Sequence, residues 1–164
     1  MASYNFGKEV IVKWLKEDFP EGSTALDVGA CDGKWVKLLG DHFVMDAVEA
    51  FGPNAASLPP TYKRVFVTDI ADHDYEWYDL IIFGDVIEHM SVEKAQKVIN
   101  YAWPRCKDMV IAVPYQYPQE AIYGNPWEVH IQDDLTPEIF NDRYPGFKLV
   151  WGNSEYGYYR KSKQ

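Results

Sequence analysis

The chain has 164 residues, 47% of them hydrophobic and 16% aromatic, and its 25 acidic against 16 basic side chains leave a net charge of -9. That length fits one domain, residues 1–164, with a core of its own, and the composition excludes a disordered or low-complexity chain. The acidic balance argues against generic DNA or RNA binding, since a protein that holds a phosphate backbone carries a basic surface.

Residues 1–5 lack the basic-then-apolar pattern of a leader, and no apolar run reaches membrane-spanning length. The chain is therefore expected to be soluble and cytoplasmic, without a membrane span. Over residues 6–19, Val10, Ile11, Trp14 and Leu15 recur at three- and four-residue spacing, the pattern of a helix with one buried face, and Pro20-Glu21-Gly22 stops it. Thr24-Ala25-Leu26-Asp27-Val28 reads as a short apolar strand that enters a small-residue loop and then a helix carrying Trp35, Val36, Leu38 and Leu39. Gly29 and Gly33 let that loop turn sharply and let a ligand approach the main chain.

A second strand, Val44-Met45-Asp46-Ala47-Val48-Glu49, ends on a carboxylate. Residues 53–60 are short and bounded by proline, with room for one or two helical turns. A third strand, Arg64-Val65-Phe66-Val67-Thr68-Asp69, ends like the second, and the polar residues Asp72, His73, Asp74 and Glu76 then predict a solvated loop. The fourth strand is Tyr78-Asp79-Leu80-Ile81-Ile82-Phe83-Gly84-Asp85. In a doubly wound sheet the carboxyl ends of strands collect on one edge, so Asp27, Glu49, Asp69 and Asp85 should face one crevice.

A helix is expected over residues 85–102, with Ser91 as an internal cap, Val92, Ala95, Val98, Ile99 and Ala102 on one face, and Pro104 beyond its end. Asp108-Met109-Val110-Ile111-Ala112-Val113 is a fifth strand. Residues 114–134 have no clear period, and a loop of that length in a compact domain points to function. Thr136-Pro137-Glu138 starts a helix, with a hydroxyl cap and a proline in the first turn. Residues 147–151 and 156–160 flank Gly152-Asn153-Ser154-Glu155 as an antiparallel hairpin. Cys31 and Cys106 make neither a disulfide framework nor a metal-type pair and read as reduced, buried residues.

These motifs carry a resemblance. Asp27-Val28-Gly29-Ala30-Cys31-Asp32-Gly33 resembles the Asp/Glu-x-Gly-x-Gly-x-Gly loop of class I S-adenosylmethionine-dependent methyltransferases, with Cys31 where that family usually has its middle glycine. Val48-Glu49 and Asp69 resemble that family's acidic ends of the second and third strands. Asp85-Val86-Ile87-Glu88-His89-Met90 is similar to the stretch after the fourth strand in the subgroup of ubiquinone-pathway and many sugar O-methyltransferases. The match spans residues 24–114 and is specific for cofactor rather than for acceptor.

The resemblance implies an α/β fold: a doubly wound, mostly parallel seven-stranded sheet of order 3-2-1-4-5-7-6, closed by a C-terminal antiparallel hairpin, with helices on both faces. It also implies S-adenosyl-L-methionine as cofactor, leaving as S-adenosyl-L-homocysteine, with Asp27, Gly29, Ala30, Gly33, Glu49, Ala50, Asp69, Ile70, Gly84 and Asp85 around it. Glu49 would accept both ribose hydroxyls, a geometry suited to a carboxylate, and Asp69 the adenine amino group, with the Ile70 N–H on the ring. Nicotinamide-binding proteins instead favour Gly-x-Gly-x-x-Gly after the first strand, and this loop has glycine only at 29 and 33.

Methyl transfer needs a positioned acceptor and, for a hydroxyl, a base; His89 and His130 are the candidates. Tyr115, Tyr117, Tyr123 and Trp127 would form the lid and acceptor pocket. The reading is a methyltransferase acting on oxygen of a small molecule, a sugar or a phenolic metabolite. A second reading rests on Glu88, His89 and His130, which together resemble the metal-dependent small-RNA 3′-end 2′-O-methyltransferases. The negative charge weighs against RNA, so the site is expected to be metal-free. A third is a cofactor-binding module without turnover.

Overall fold

The central strand segments are apolar at successive positions, as in Leu80-Ile81-Ile82-Phe83, so they need cover on both faces. The structure, a computed structural model, describes residues 5–122 and 124–163. Its strands are β1 (Thr24–Val28), β2 (Val44–Glu49), β3 (Arg64–Val67), β4 (Tyr78–Gly84), β5 (Cys106–Pro114), β6 (Lys148–Gly152) and β7 (Tyr156–Ser162). They form one seven-stranded sheet in the order β3-β2-β1-β4-β5-β7-β6. Strands β1 to β5 are mutually parallel, and β7 runs antiparallel to both β5 and β6, the arrangement the resemblance implies.

The helices are α1 (Lys8–Asp18), α2 (Lys34–Leu39), α3 (Gly52–Ala56), α4 (Val92–Ala102) and α5 (Pro137–Arg143). Alternate side chains of β4 divide between two cores. Leu80 and Ile82 pack with Ile11 and Leu15 of α1 and Trp35, Val36 and Leu39 of α2. Ile81 and Phe83 pack on the other face with Val98, Ile99 and Ala102 of α4 and Phe140 of α5. Each such buried side chain contributes up to about 1.5–3 kcal/mol, which is what holds helices of this length on the sheet. Among the described residues, no helix is long and apolar enough to cross a membrane.

Several segments differ from expectation. Strand β3 ends at Val67, two residues before Asp69, because it lies at the sheet edge with most of its residues exposed. The helix expected over 85–102 is two pieces, a 3₁₀ turn over Ile87–His89 and then α4. Ser91 is therefore a true N-cap, its Oγ accepting the Lys94 N–H at 3.2 Å. The loop after β3 is only partly solvated. Asp72, Asp74 and Glu76 are exposed, whereas the buried His73 ring lies 4.8 Å from both Phe66 and Tyr75.

The long aperiodic segment is tied rather than loose. Its base is closed by the Gln116 N–H donating to Leu135 O at 3.0 Å, and its interior holds a 3₁₀ turn, Pro126–Glu128. The N–H groups of Ile131 and Gln132 both donate to Glu88 O, at 2.8 and 2.9 Å. Helix α5 begins as expected, with Thr136 Oγ1 accepting the Ile139 N–H at 3.2 Å.

Candidate functional site

A cleft of about 370 Å³ opens where β1, β2 and β4 end and the 115–135 loop crosses them. The loop after β1 forms one wall. Gly29 has φ +72°, and a Cβ there would stand 2.5 Å from Val86 Cγ2, so this turn excludes a side chain. Cys31 also adopts a positive φ, 52°, and donates its N–H to Glu49 Oε2 at 2.7 Å. The other carboxylate oxygen of Glu49 accepts the Phe51 N–H at 2.9 Å. Glu49 is thus a buried, immobilised acceptor on the cleft wall, and burial raises its pKa.

Asp69 and Ile70 line the same cleft from beyond β3. Asp69 Oδ1 accepts the Ala71 N–H at 2.9 Å and Oδ2 accepts Lys94 Nζ at 3.0 Å. Lys94 also stands 5.6 Å from the centre of the Trp127 ring, so one ammonium connects the β3 end to the crossing loop. Asp85 sits at the end of β4 with φ +56°, a conformation uncommon for a residue with a side chain, and its Oδ1 accepts Tyr156 Oη–H at 2.6 Å. Ala30, Ala50 and Gly84 complete the part of the lining expected from the sequence.

Three expected cofactor or acceptor positions are buried away from the cleft. Asp27 is buried behind the loop, absent from the cleft wall, with Tyr62 Oη–H donating to Oδ2 at 2.5 Å. Burial pushes its carboxyl up to about 7, opposed by the Tyr62 hydrogen bond and the nearby charge of Lys8. Gly33 is buried and faces Pro59 instead of the cleft. Tyr115 belongs to the core: its hydroxyl lies 2.6 Å from that of Tyr159, in a space that exists because residue 157 is glycine, where a Cβ would collide with Tyr115 Oη.

Of the remaining acceptor-pocket residues, Trp127 lines the cleft and is 43% exposed, as a contact surface requires. Tyr117 is off the cleft wall with its ring 5.6 Å from that of His130. Tyr123 lies outside the described residues. His89 borders the cleft; His130 lies behind it, with the two rings 4.7 Å apart. Burial lowers the pKa of both imidazoles, and the neighbouring His130 lowers that of His89 further.

The sequence reading also missed Lys94, Asn125 and Glu128, which line the cleft, and Lys8, which is buried beneath it. Lys8 Nζ lies 4.8 Å from the centre of the Trp35 ring, and burial lowers its pKa to about 8 against the opposing charge of Asp85. A buried lysine at the start of an amphipathic helix reads in sequence as an exposed one, so no local signal marks it. Asn125 could have been found, since Asn-Pro is a turn starter; its Oδ1 accepts the Trp127 N–H at 3.0 Å.

No protein-family model matches the chain, and no curated protein matches it in sequence. Solved structures match it in fold. The N-methyltransferase NodS from Bradyrhizobium japonicum WM9 superposes with a TM-score of 0.68 at 13% identity, over 95% of this chain and 94% of its own. Magnesium protoporphyrin IX methyltransferase (ChlM) from Synechocystis PCC 6803, solved with bound SAM, gives 0.66 at 16% identity, over 100% and 86%. The N-terminal domain of EvdMO1, solved with SAH bound, gives 0.71 at 9% identity, over 99% and 83%. The chain has the Rossmann-like fold of the class I S-adenosylmethionine-dependent methyltransferases.

Proposed function

We propose that this chain is an S-adenosylmethionine-dependent methyltransferase that methylates an oxygen of a small molecule, a sugar or a phenolic metabolite. The observation that carries this reading is Glu49. It stands at the end of β2 on the cleft wall, buried and held by the N–H groups of Cys31 and Phe51, with carboxylate lone pairs left for two ribose hydroxyls. Asp69 and Ile70 would take the adenine edge, and the loop at Gly29 and Ala30 with Asp85 would border the methionine end. The acidic lining, with Asp32, Glu49, Asp69, Asp85 and Glu128, suits a cationic sulfonium.

In the transfer, the acceptor oxygen attacks the sulfonium methyl in line. The O–C bond forms as the S–C bond breaks, its electron pair stays on sulfur as a neutral thioether, and the hydroxyl proton passes to a base. His89 is the imidazole on the cleft. Its Nδ1 lies 3.2 Å from Val129 O, and because a carbonyl only accepts, Nε2 carries the lone pair. Trp127 would hold the acceptor against the methyl group. The free thiols Cys31 and Cys106 suit a reducing compartment, in keeping with the cytoplasm.

Calorimetric titration with S-adenosylhomocysteine, followed by transfer of an isotope-labelled methyl group to a panel of sugars and phenols, tests the reading. Micromolar binding and label in one acceptor class are expected. Absence of binding overturns it; binding without transfer to any acceptor favours a cofactor-binding module.

A further inference from the structure

Apolar side chains held at the mouth of a cleft favour an apolar occupant, because covering them releases water from their surface. Trp127, Val129 and Ile131 all line the cleft from the crossing loop and are 43%, 36% and 58% exposed. Val86, Met90 and Pro126 line it as well. The wall that the crossing loop gives to the cleft is thus an indole with aliphatic groups in line with it, a surface suited to the face of a flat ring.

The polar groups of the same wall are spent within the chain. The Trp127 N–H donates to Asn125 Oδ1 at 3.0 Å, and the Glu128 N–H to Asn125 O at 3.3 Å. The N–H groups of His130 and Ile131 donate to Gln119 O and Glu88 O, at 2.9 and 2.8 Å. Two carbonyls are taken too, Glu128 O by Gln119 Nε2 at 2.7 Å and Val129 O by the His89 ring at 3.2 Å. Ser91 Oγ, also on the cleft, accepts the Lys94 N–H. A sugar carries a hydroxyl on nearly every ring carbon, and each one removed from water without a partner costs affinity. A phenol brings one hydroxyl and an apolar ring, so it asks of this wall what the wall supplies.

Charge narrows the class further. Five carboxylates, Asp32, Glu49, Asp69, Asp85 and Glu128, line the cleft against two ammonium groups, Lys34 and Lys94, and Lys94 is paired with Asp69. Glu128 adjoins Trp127, and its charge adds to burial in raising the pKa of Cys31 and of Glu49, so its field crosses the cleft floor. A ring bearing a carboxylate would be repelled there; a neutral or ammonium-bearing ring would not.

We propose that the acceptor is a phenol rather than a sugar, its ring laid against Trp127, Val129 and Ile131 and its substituents free of negative charge. The assignment rests on the methyltransferase reading and narrows it. The phenol oxygen bonds to the sulfonium methyl as the S–C bond breaks with its electron pair on sulfur, and the phenolic proton passes to His89 Nε2. A phenol releases its proton near a pH of about 10, whereas an aliphatic hydroxyl holds it nearly as water does, to about 15.7, so an imidazole serves the first far better as a base.

The full chain, with and without S-adenosylhomocysteine, is examined by ligand-observed NMR against para-cresol, tyramine, para-hydroxyphenylacetate and methyl glucoside, and the same four compounds are offered an isotope-labelled methyl group from S-adenosylmethionine. We expect para-cresol and tyramine to bind and to take up label at least about tenfold faster than the other two. Glu128→Gln should narrow the gap between para-cresol and para-hydroxyphenylacetate by about threefold or more, and Ile131→Asn should raise the KM for para-cresol by about threefold to tenfold with kcat within about twofold. The wild-type comparison decides even where a variant fails to fold. With S-adenosylhomocysteine bound, a preference for methyl glucoside, equal use of para-cresol and para-hydroxyphenylacetate, or no aromatic binding each overturns the acceptor class. Para-cresol binding by a chain that takes no S-adenosylhomocysteine supports the aromatic wall and overturns the methyltransferase reading instead; binding of neither overturns both.

Discussion

The N–H of Cys31 donates to the Glu49 carboxylate at 2.7 Å, joining the loop after β1 to the last residue of β2. Two neighbouring strands thereby share one acceptor, and each holds the other's conformation. A change in either residue is therefore felt at both.

Replacing Glu49 removes the acceptor proposed for the ribose. Glu49→Ala should lower S-adenosylhomocysteine affinity about 10- to 100-fold, the loss of about 1.5–3 kcal/mol for hydrogen bonds to a charged group. Glu49→Gln, which keeps an acceptor oxygen, should lose less. Calorimetry on both variants checks this, and an unchanged affinity in Glu49→Ala sinks the ribose assignment.

Cys31 occupies a left-handed conformation, φ 52°, that costs a residue with a side chain about 1–2 kcal/mol. Glycine would relieve that strain but adds flexibility to the unfolded chain worth about 0.5–1 kcal/mol. Cys31→Gly should therefore change the melting temperature by only a few degrees and leave S-adenosylhomocysteine affinity within about twofold. A tenfold loss of affinity would mean that the Cys31 thiol, with Asn54 Nδ2 at 3.9 Å, positions the loop.

Asp27 makes stability depend on pH in a definite direction. Its folded pKa is raised from 3.8 to about 7, so the native state holds the proton more tightly than the unfolded chain. Stability from this carboxyl is full below about pH 4 and is lost as pH rises to about 7, beyond which the loss is constant. Asp27→Asn keeps an acceptor for Tyr62 and removes the ionisation. The melting temperature of the variant relative to wild type should rise between pH 5 and pH 8; parallel curves would contradict the assignment.

Gln132 holds the crossing loop to the end of the β4 connection. Its Nε2 donates to Ile87 O at 2.8 Å and Met90 O at 3.0 Å, while Oε1 accepts Tyr144 Oη–H at 2.8 Å. Gln132→Ala leaves these buried groups unpaired, for about 3 kcal/mol. The melting temperature should fall by about 6–12 °C, and methyl transfer should fall further than S-adenosylhomocysteine affinity. Equal losses in the two would detach the loop from acceptor binding.

Much of this architecture was legible because the physics that sets it is local. Continuous apolar runs such as Leu80-Ile81-Ile82-Phe83 mark strands covered on both faces, and the carboxylates at their ends mark the edge on which the cleft opens. Thr136 and Ser91 each sit where a cap belongs, although the apolar period alone places Ser91 inside a longer helix. The positive φ of Asp85 and the 3₁₀ turn break that helix, and no apolar period records the break.

The misread residues depend on distant partners. Asp27 reads as a cleft carboxylate until Tyr62, 35 residues on, is seen to bond it. Tyr115 reads as a lid aromatic until Gly157 makes room for it in the core. Gln132 has no local pattern at all; its role lies in carbonyls 42 and 45 residues upstream. The grouping of Glu88, His89 and His130 is implied by the resemblance, but only folding reveals that, among the described residues, the Glu88 carboxylate oxygens have no hydrogen-bond partner.

The two imidazoles are oriented by main-chain oxygens, those of Tyr117 and Val129, and any amino acid can supply such an oxygen. Positions 117 and 129 are therefore open to mutational drift that leaves His89 and His130 aimed as they are, provided the loop keeps its path. With Trp127 on the rim of the same segment, the acceptor wall proposed above can vary in sequence while the residues beneath it stay as they are. A combinatorial library confined to residues 117, 127 and 129 would show whether the acceptor preference of the proposed methyltransferase follows this loop.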